Sequence, residues 1–227
     1  MNQDLWKELD DPALVVGDAK FKVAFAGPDR HPPTCHSVHQ VHGICVVEAG
    51  AETAPGAETL KKADGLFTTQ PGVSLGIKTA DCLPVVLVSR SMPWLSVLHA
   101  GWRGLFAGIL HEAVNIFREL GGDARDLCMV TGPCISQACF EVGPELVEAL
   151  HQTCLSETQK ERVLMKGKGD RWHVDLSVVA AFQALHEGTV ANNVQLLRSC
   201  TYSSPSLWNS YRRTGQASPS NWTFASL

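Results

Sequence analysis

The chain has no excess of basic charge. Its 19 Lys and Arg stand against 23 Asp and Glu, a formal net charge of −4. Such a balance offers no polycationic surface to neutralise a phosphate backbone, so nucleic acid is not an expected partner. Apolar runs long enough to span a bilayer are also missing, and no membrane partner is expected. The opening residues, MNQDLWKELDDPALVV, are acidic and polar where a signal peptide needs a basic and then an apolar run; the expected location is the cytoplasm. Internal repeats and low-complexity stretches are absent, which excludes solenoid and propeller architectures.

What the chain does have is a core. At 227 residues and 44% apolar content it is long enough for a single large domain, expected over residues 1–227. Eight cysteines form an even set, but a chain of this size needs no disulfide framework and a cytosolic compartment would keep thiols reduced. Cys45, Cys128 and Cys154 sit within apolar patterns and are expected as small buried hydrophobes. Cys134 and Cys139 have a spacing that suits a metal but no downstream pair to complete it, and are read the same way.

The chain is organised around Ala80–Gly104, ADCLPVVLVSRSMPWLSVLHAGWRG. Pro84–Val88 and Trp94–Leu98 are short, apolar runs expected as buried strands. Cys82 stands at the start of the first and His99 at the end of the second. Upstream, His39-Gln40-Val41-His42-Gly43 carries two more histidines, with His31 and His36 before them. If His42 folds back onto Cys82 and His99, two imidazoles and a thiolate form a three-ligand zinc site with the fourth position open. Each residue alone is more cheaply read as a core or turn residue, and His39 as a surface histidine. Asp64, before Gly65, reads equally well as a turn former.

Around these, Phe21–Ala26, Ile44–Val47, Val73–Ile77, Leu127–Val130, Trp172–Val174 and Val194–Leu197 read as strands. Phe106, Ile109, Leu110, Ala113, Phe117 and Leu120 follow helical spacing. They predict one helix that starts just beyond His99 and stops at Gly121-Gly122, its free N–H groups and Arg103 favouring an anion there. Pro144 opens a helix through about His151, and Asp175 caps another over Ser177–His186. Residues 1–18 read as a polar entry, 50–62 as a polar connection and 155–170 as a charged surface excursion. The uneven alternation predicts an α+β fold, a layered α/β/α domain with a mixed sheet.

QVHG, ADCLP and HAGWRG, in that order, resemble the YfiH family, also called the laccase-domain or polyphenol-oxidase-like family. ADGLFTT, GPCI, FEVG, Cys200-Thr201 and SYRR fit it too, so the resemblance covers roughly residues 64–213. It departs near the N-terminus: the family usually has a longer portion there with a Phe-Ser-Thr-Arg type sequence, where this chain has Phe25-Ala26-Gly27-Pro28-Asp29-Arg30. It also has Thr214-Gly215-Gln216 for the usual Thr-Gly-Arg.

The resemblance implies a zinc held by His42, Cys82 and His99. It implies phosphorolysis of adenosine, inosine, guanosine or 5′-methylthioadenosine, with deamination of adenosine beside it. Nucleoside and phosphate are then the partners, with Asp81 or Asp64 handling protons and Arg103 aiding phosphate. Three readings compete. One is a metal-free cysteine hydrolase or amidase with Cys82 as nucleophile. Another is a copper-dependent polyphenol oxidase. The third is a scaffold closed around structural zinc.

Overall fold

The two apolar runs at the centre of the sequence become the two central strands of a mixed sheet. The computed structural model describes residues 15–16, 19–28, 34–50 and 58–227. Arg30, His31 and most of the polar entry and connection lie outside them.

The described residues begin with a two-stranded ribbon, β1 (Val15–Val16) and β2 (Ala19–Lys20), then β3 (Lys22–Ala26), β4 (Ser37–His39), β5 (Val46–Glu48) and β6 (Glu58–Lys62). Next come β7 (Gly65–Thr68), β8 (Ser74–Thr79), β9 (Leu83–Ser89), β10 (Leu95–Ala100), α1 (Trp102–Ala107) and α2 (Ile109–Glu119). The second half holds β11 (Leu127–Thr131), β12 (Glu141–Val142), α3 (Pro144–His151), α4 (Glu157–Val163), β13 (Leu164–Lys166) and β14 (Trp172–Val174). It closes with α5 (Leu176–His186), β15 (Val194–Leu196), α6 (Tyr211–Thr214) and β16 (Asn221–Ser226).

Six strands pair in the order β15-β11-β9-β10-β7-β5, with β9, β10 and β7 antiparallel and parallel pairs at both edges. Every residue of β9 and β10 is buried, because alternate side chains feed two different cores. Leu83, Val85, Leu87 and Leu98 pack with Leu105, Leu110, Phe117, Val179 and Ala180 of the helices. Val86, Val88, Leu95 and Val97 pack instead with Val23, Leu75, Ile77 and Ala225. These last belong to a three-stranded antiparallel sheet, β3-β16-β8. The α+β class and mixed sheet are as expected; the layer on the second face, expected to be helical, is this small sheet.

Other differences have local causes. The single helix expected beyond His99 is two, because Gly108 adopts φ 101° and closes α1 with its N–H before starting α2. The surface excursion contains α4, started by a capping box in which Ser156 and Gln159 satisfy each other's backbone N–H groups, followed by β13. Residues 58–62 form β6, parallel to β4. Cys128 and Cys134 are buried as expected, whereas Cys45 and Cys154 are exposed and Cys139 is half-buried.

Candidate metal centre

Strand register alone gathers the chemistry at one end of the sheet. Leu83 pairs with Ala100, so Cys82 and Gly101 face each other just outside the hairpin. Leu98 pairs with Gly65, so Asp64 lies beside His99. Val46 runs parallel to Gly65, so the His42 loop enters at that same end.

The loop is held by its neighbours in QVHG. Gln40 pairs with the backbone of Lys78 at both ends of its amide, at 2.7 and 2.8 Å. His42 adopts φ 62°, which turns three successive amides inward. The Asp64 carboxylate accepts them all: Val41 N at 3.2 Å, His42 N at 2.8 Å and Gly43 N at 2.6 Å. Two glycines of HAGWRG make room. A Cβ at Gly101 would lie 3.0 Å from Cys82 Sγ and from His42 Cδ2, and one at Gly104 2.5 Å from Gly43 O.

His42, Cys82 and His99 thus meet, with one ligand atom from each lying within 4.8 Å of the others. Cys82 Sγ is 3.8 Å from His42 Nε2, and the two imidazoles meet edge to face with centroids 4.7 Å apart. His99 Nδ1 donates to Asp64 Oδ1 at 2.7 Å, which leaves Nε2 as its ligand atom. Asp64 is 0% and His99 3% exposed.

The electrostatics suit a cation. Burial pushes the Cys82 thiol up, but His42 and His99 outweigh it and bring it down to about 6. Burial pulls the His99 imidazole down, but Asp64 and Cys82 outweigh it and take it up to about 9. Burial opposes charge on Asp64 as well, yet His99 and the amides of Gly43 and His42 hold its carboxyl below the usual range. Tetrahedral zinc, with bonds of about 2.3 Å to sulfur and 2.0 Å to nitrogen, spaces such atoms about 3.5 Å apart. The donor set fits. A carboxylate behind a ligating imidazole is the usual outer support of such a site.

A profile of the family described as "multi-copper polyphenol oxidoreductase laccase" matches residues 6–225. The chain belongs to this laccase-domain, or YfiH, family. A relative from Bacteroides thetaiotaomicron named "Purine nucleoside phosphorylase" is 32% identical over 180 residues, covering 78% of this chain and 66% of the relative. One from an unknown prokaryotic organism, named "Adenosine deaminase RL5", is 31% identical over 156 residues, covering 69% and 59%. The chain therefore spans about six- to seven-tenths of these relatives' length. The YfiH structure from Bacillus licheniformis superposes with a TM-score of 0.80 at 24% identity, covering 86% of this chain and 74% of that one.

The other residues singled out from the YfiH motifs go elsewhere. Asp81, at φ 89°, turns its carboxylate away toward the C-terminal segment. There it accepts Thr201 Oγ1 at 2.6 Å, Ser210 Oγ at 3.0 Å and Arg212 N at 2.7 Å. Arg103 is exposed, its guanidinium 4.4 Å from the centre of the Trp102 ring. No carboxylate among the described residues pairs with it. His39 is exposed and His36 buried, and neither joins the cluster. Arg213 fastens the SYRR turn, donating to the carbonyls of Thr201, Tyr202 and Trp208 at 2.6–2.7 Å. The support role of Asp64 was the least visible in sequence. Its signal was its place in ADGLFTT, which marks the residue but not its pairing beside His99.

Proposed function

We propose that the chain is a zinc-holding enzyme of purine nucleoside metabolism, with residues 1–227 as one catalytic domain working in the cytoplasm. It cleaves adenosine, inosine, guanosine or 5′-methylthioadenosine with phosphate, giving free base and the (methylthio)ribose 1-phosphate. Adenosine deamination to inosine is its second activity, a reading favoured by the relative named as a deaminase. The observation that carries the proposal is the convergence of His42, Cys82 and His99 at a sheet end with Asp64 behind them.

These three residues would hold the metal, which when bound supplies Lewis acidity at the substrate. The chain's own groups do the rest. Asp64, an acceptor only, keeps the His99 proton on Nδ1 and the ring in place. Cys82 is poised as a thiolate by its two imidazole neighbours. Arg103, free of carboxylates among the described residues, offers its cation to phosphate. Asp81 ties the Cys82 turn to the 201–212 segment.

The test is metal content together with a product screen on purine nucleosides, with and without phosphate. Close to one zinc per chain and chelator-sensitive release of base are expected, both lost in Cys82→Ser. Full turnover in metal-free protein that alkylation abolishes would establish the cysteine hydrolase instead. Copper with phenol oxidation would establish the oxidase, and unfolding on metal removal with no turnover at any stage the scaffold.

A further inference from the structure

Of the three candidate ligands, His42 is the one that no strand of the central sheet carries. His99 lies within β10 and Cys82 adjoins the first residue of β9, whereas His42 sits in the loop between β4 and β5. It is also exposed, against a buried His99. Whatever fixes this loop decides whether the third ligand stands at the site before a metal arrives.

The approach to the loop starts on β8. His36 N donates to Ser74 O and Gly76 N to His36 O, both at 2.8 Å, which makes a parallel bridge centred on Leu75. Among the described residues that bridge is the only main-chain pairing between the two segments. On its other side β4 runs parallel to β6, and the register steps from Val38–Thr59 to His39–Lys62, an irregularity of the kind that bends a strand. His39 O then accepts Ala63 N at 3.1 Å.

The next contact with β8, two residues along at Lys78, is made by a side chain. In a continued parallel ladder Lys78 N would donate to Val38 O, and Lys78 O would accept Gln40 N. Here the Gln40 carboxamide supplies both partners: its Oε1 accepts Lys78 N at 2.8 Å and its Nε2 donates to Lys78 O at 2.7 Å. Glutamine ends in a copy of the peptide group, with acceptor and donors in one plane. It completes the rung while the main chain departs. The anchor is firm, since β8 is paired along its other edge with β16, Lys78 opposite Trp222.

We propose that Gln40 is a positioning residue for His42, its carboxamide standing in for a rung of the β8 ladder so that the backbone can turn from a fixed point. Asp64 sets the direction of the amides of Val41, His42 and Gly43, and Gln40 sets where that turn begins. The inference rests on the metal site assigned above. Few side chains can take this place. Methionine has the length but no polar partners, and glutamate keeps the acceptor but loses the donor.

The experiment measures zinc affinity of the folded chain at room temperature by competition with a chromophoric chelator, in the parent, Gln40→Met and Gln40→Glu. Gln40→Met should bind zinc about tenfold more weakly, within the range lost with outer partners of metal ligands. Gln40→Glu gives up one of the two bonds and should fall in between, which decides the matter if the methionine variant does not fold. Cobalt substitution identifies the ligand affected. The thiolate-to-cobalt charge-transfer band of Cys82 should stay, while the ligand-field bands weaken as His42 is lost. In a His42→Ala background, Gln40→Met should cost no further affinity. Zinc affinity equal to the parent's in the folded variants, even with a lower melting temperature, would overturn the proposal, as would a loss that adds to that of His42→Ala. A parent that takes up no zinc would overturn the metal reading itself, and this inference with it.

Discussion

Asp64 lies 2.7 Å from His99 Nδ1 and 2.8 Å from the backbone nitrogen of His42, so one buried carboxylate fixes the ring of one candidate ligand and the main chain of another. All its donors are N–H groups, and the pocket around it is closed. A carboxamide there must aim its own NH2 at one of them. Asp64→Asn should lower zinc affinity about 10- to 100-fold, the usual cost of losing an outer support, read by competition with a chromophoric chelator. Unchanged affinity would show that His99 needs no such partner.

Asp81 presents a choice between two roles. Its oxygens already accept from Thr201, Ser210 and Arg212 N, an anchoring arrangement. Removing the acceptor leaves those donors without a partner, at roughly 1–3 kcal/mol. Asp81→Ala should therefore lower the melting temperature and weaken metal retention together. A variant that melts like the parent but turns over slowly would favour proton transfer instead.

Motif and register explain how much of this could be read in advance. Cys82, His99 and His42 stood out because each adjoins an apolar run or a glycine whose conformation is local, and the observed strands fall within two residues of those runs. Asp64 was marked by ADGLFTT and read as a turn former or proton carrier, but its support of His99 was not legible, since that depends on β7 pairing with β10, a contact between residues 35 apart in sequence. The helix break was written in Gly108, but an apolar period that continued across it concealed the left-handed turn. The capping box at Ser156–Gln159 was readable and was masked by the surrounding charge. β16 is the clearest non-local case: Phe224 and Ala225 are buried because β3 and β8 lie on either side.

The acid limb of stability should carry the mark of Glu187. Its carboxylate meets Arg118 Nη1 and His111 Nδ1, each at 2.8 Å, joining α2 to the end of α5. Burial raises it, but His111 and Arg118 outweigh this and hold it below 4.5. A depressed carboxyl contributes stability that is full above its unfolded value and lost as pH falls through the folded one. With His111 and Arg118 largely exposed, the contribution is discounted to about 1 kcal/mol. Glu187→Gln should melt about 2–4 °C lower at pH 7, and the gap should narrow as pH falls below the ordinary carboxylate range. A gap unchanged by acid would mean that the side chain acts by packing alone.

The last prediction separates the two proposed reactions at Arg103. The guanidinium lies over Trp102 at the start of α1, three residues beyond Gly101-preceding Ala100 and close in sequence to His99, with no carboxylate partner among the described residues. An arginine that braced the fold would be tied to a buried acceptor, as Arg213 is to three carbonyls. Phosphorolysis needs a bound anion, whereas deamination consumes only water. Loss of one charge-assisted contact costs about 1.5–3 kcal/mol, roughly a ten- to hundredfold change in rate. Arg103→Ala should therefore raise the phosphate requirement and depress phosphorolysis by that factor, with deamination and melting temperature close to the parent's. Both product rates are read on one preparation at limiting and saturating phosphate. Equal losses in the two reactions would assign Arg103 to the shape of the pocket and not to phosphate.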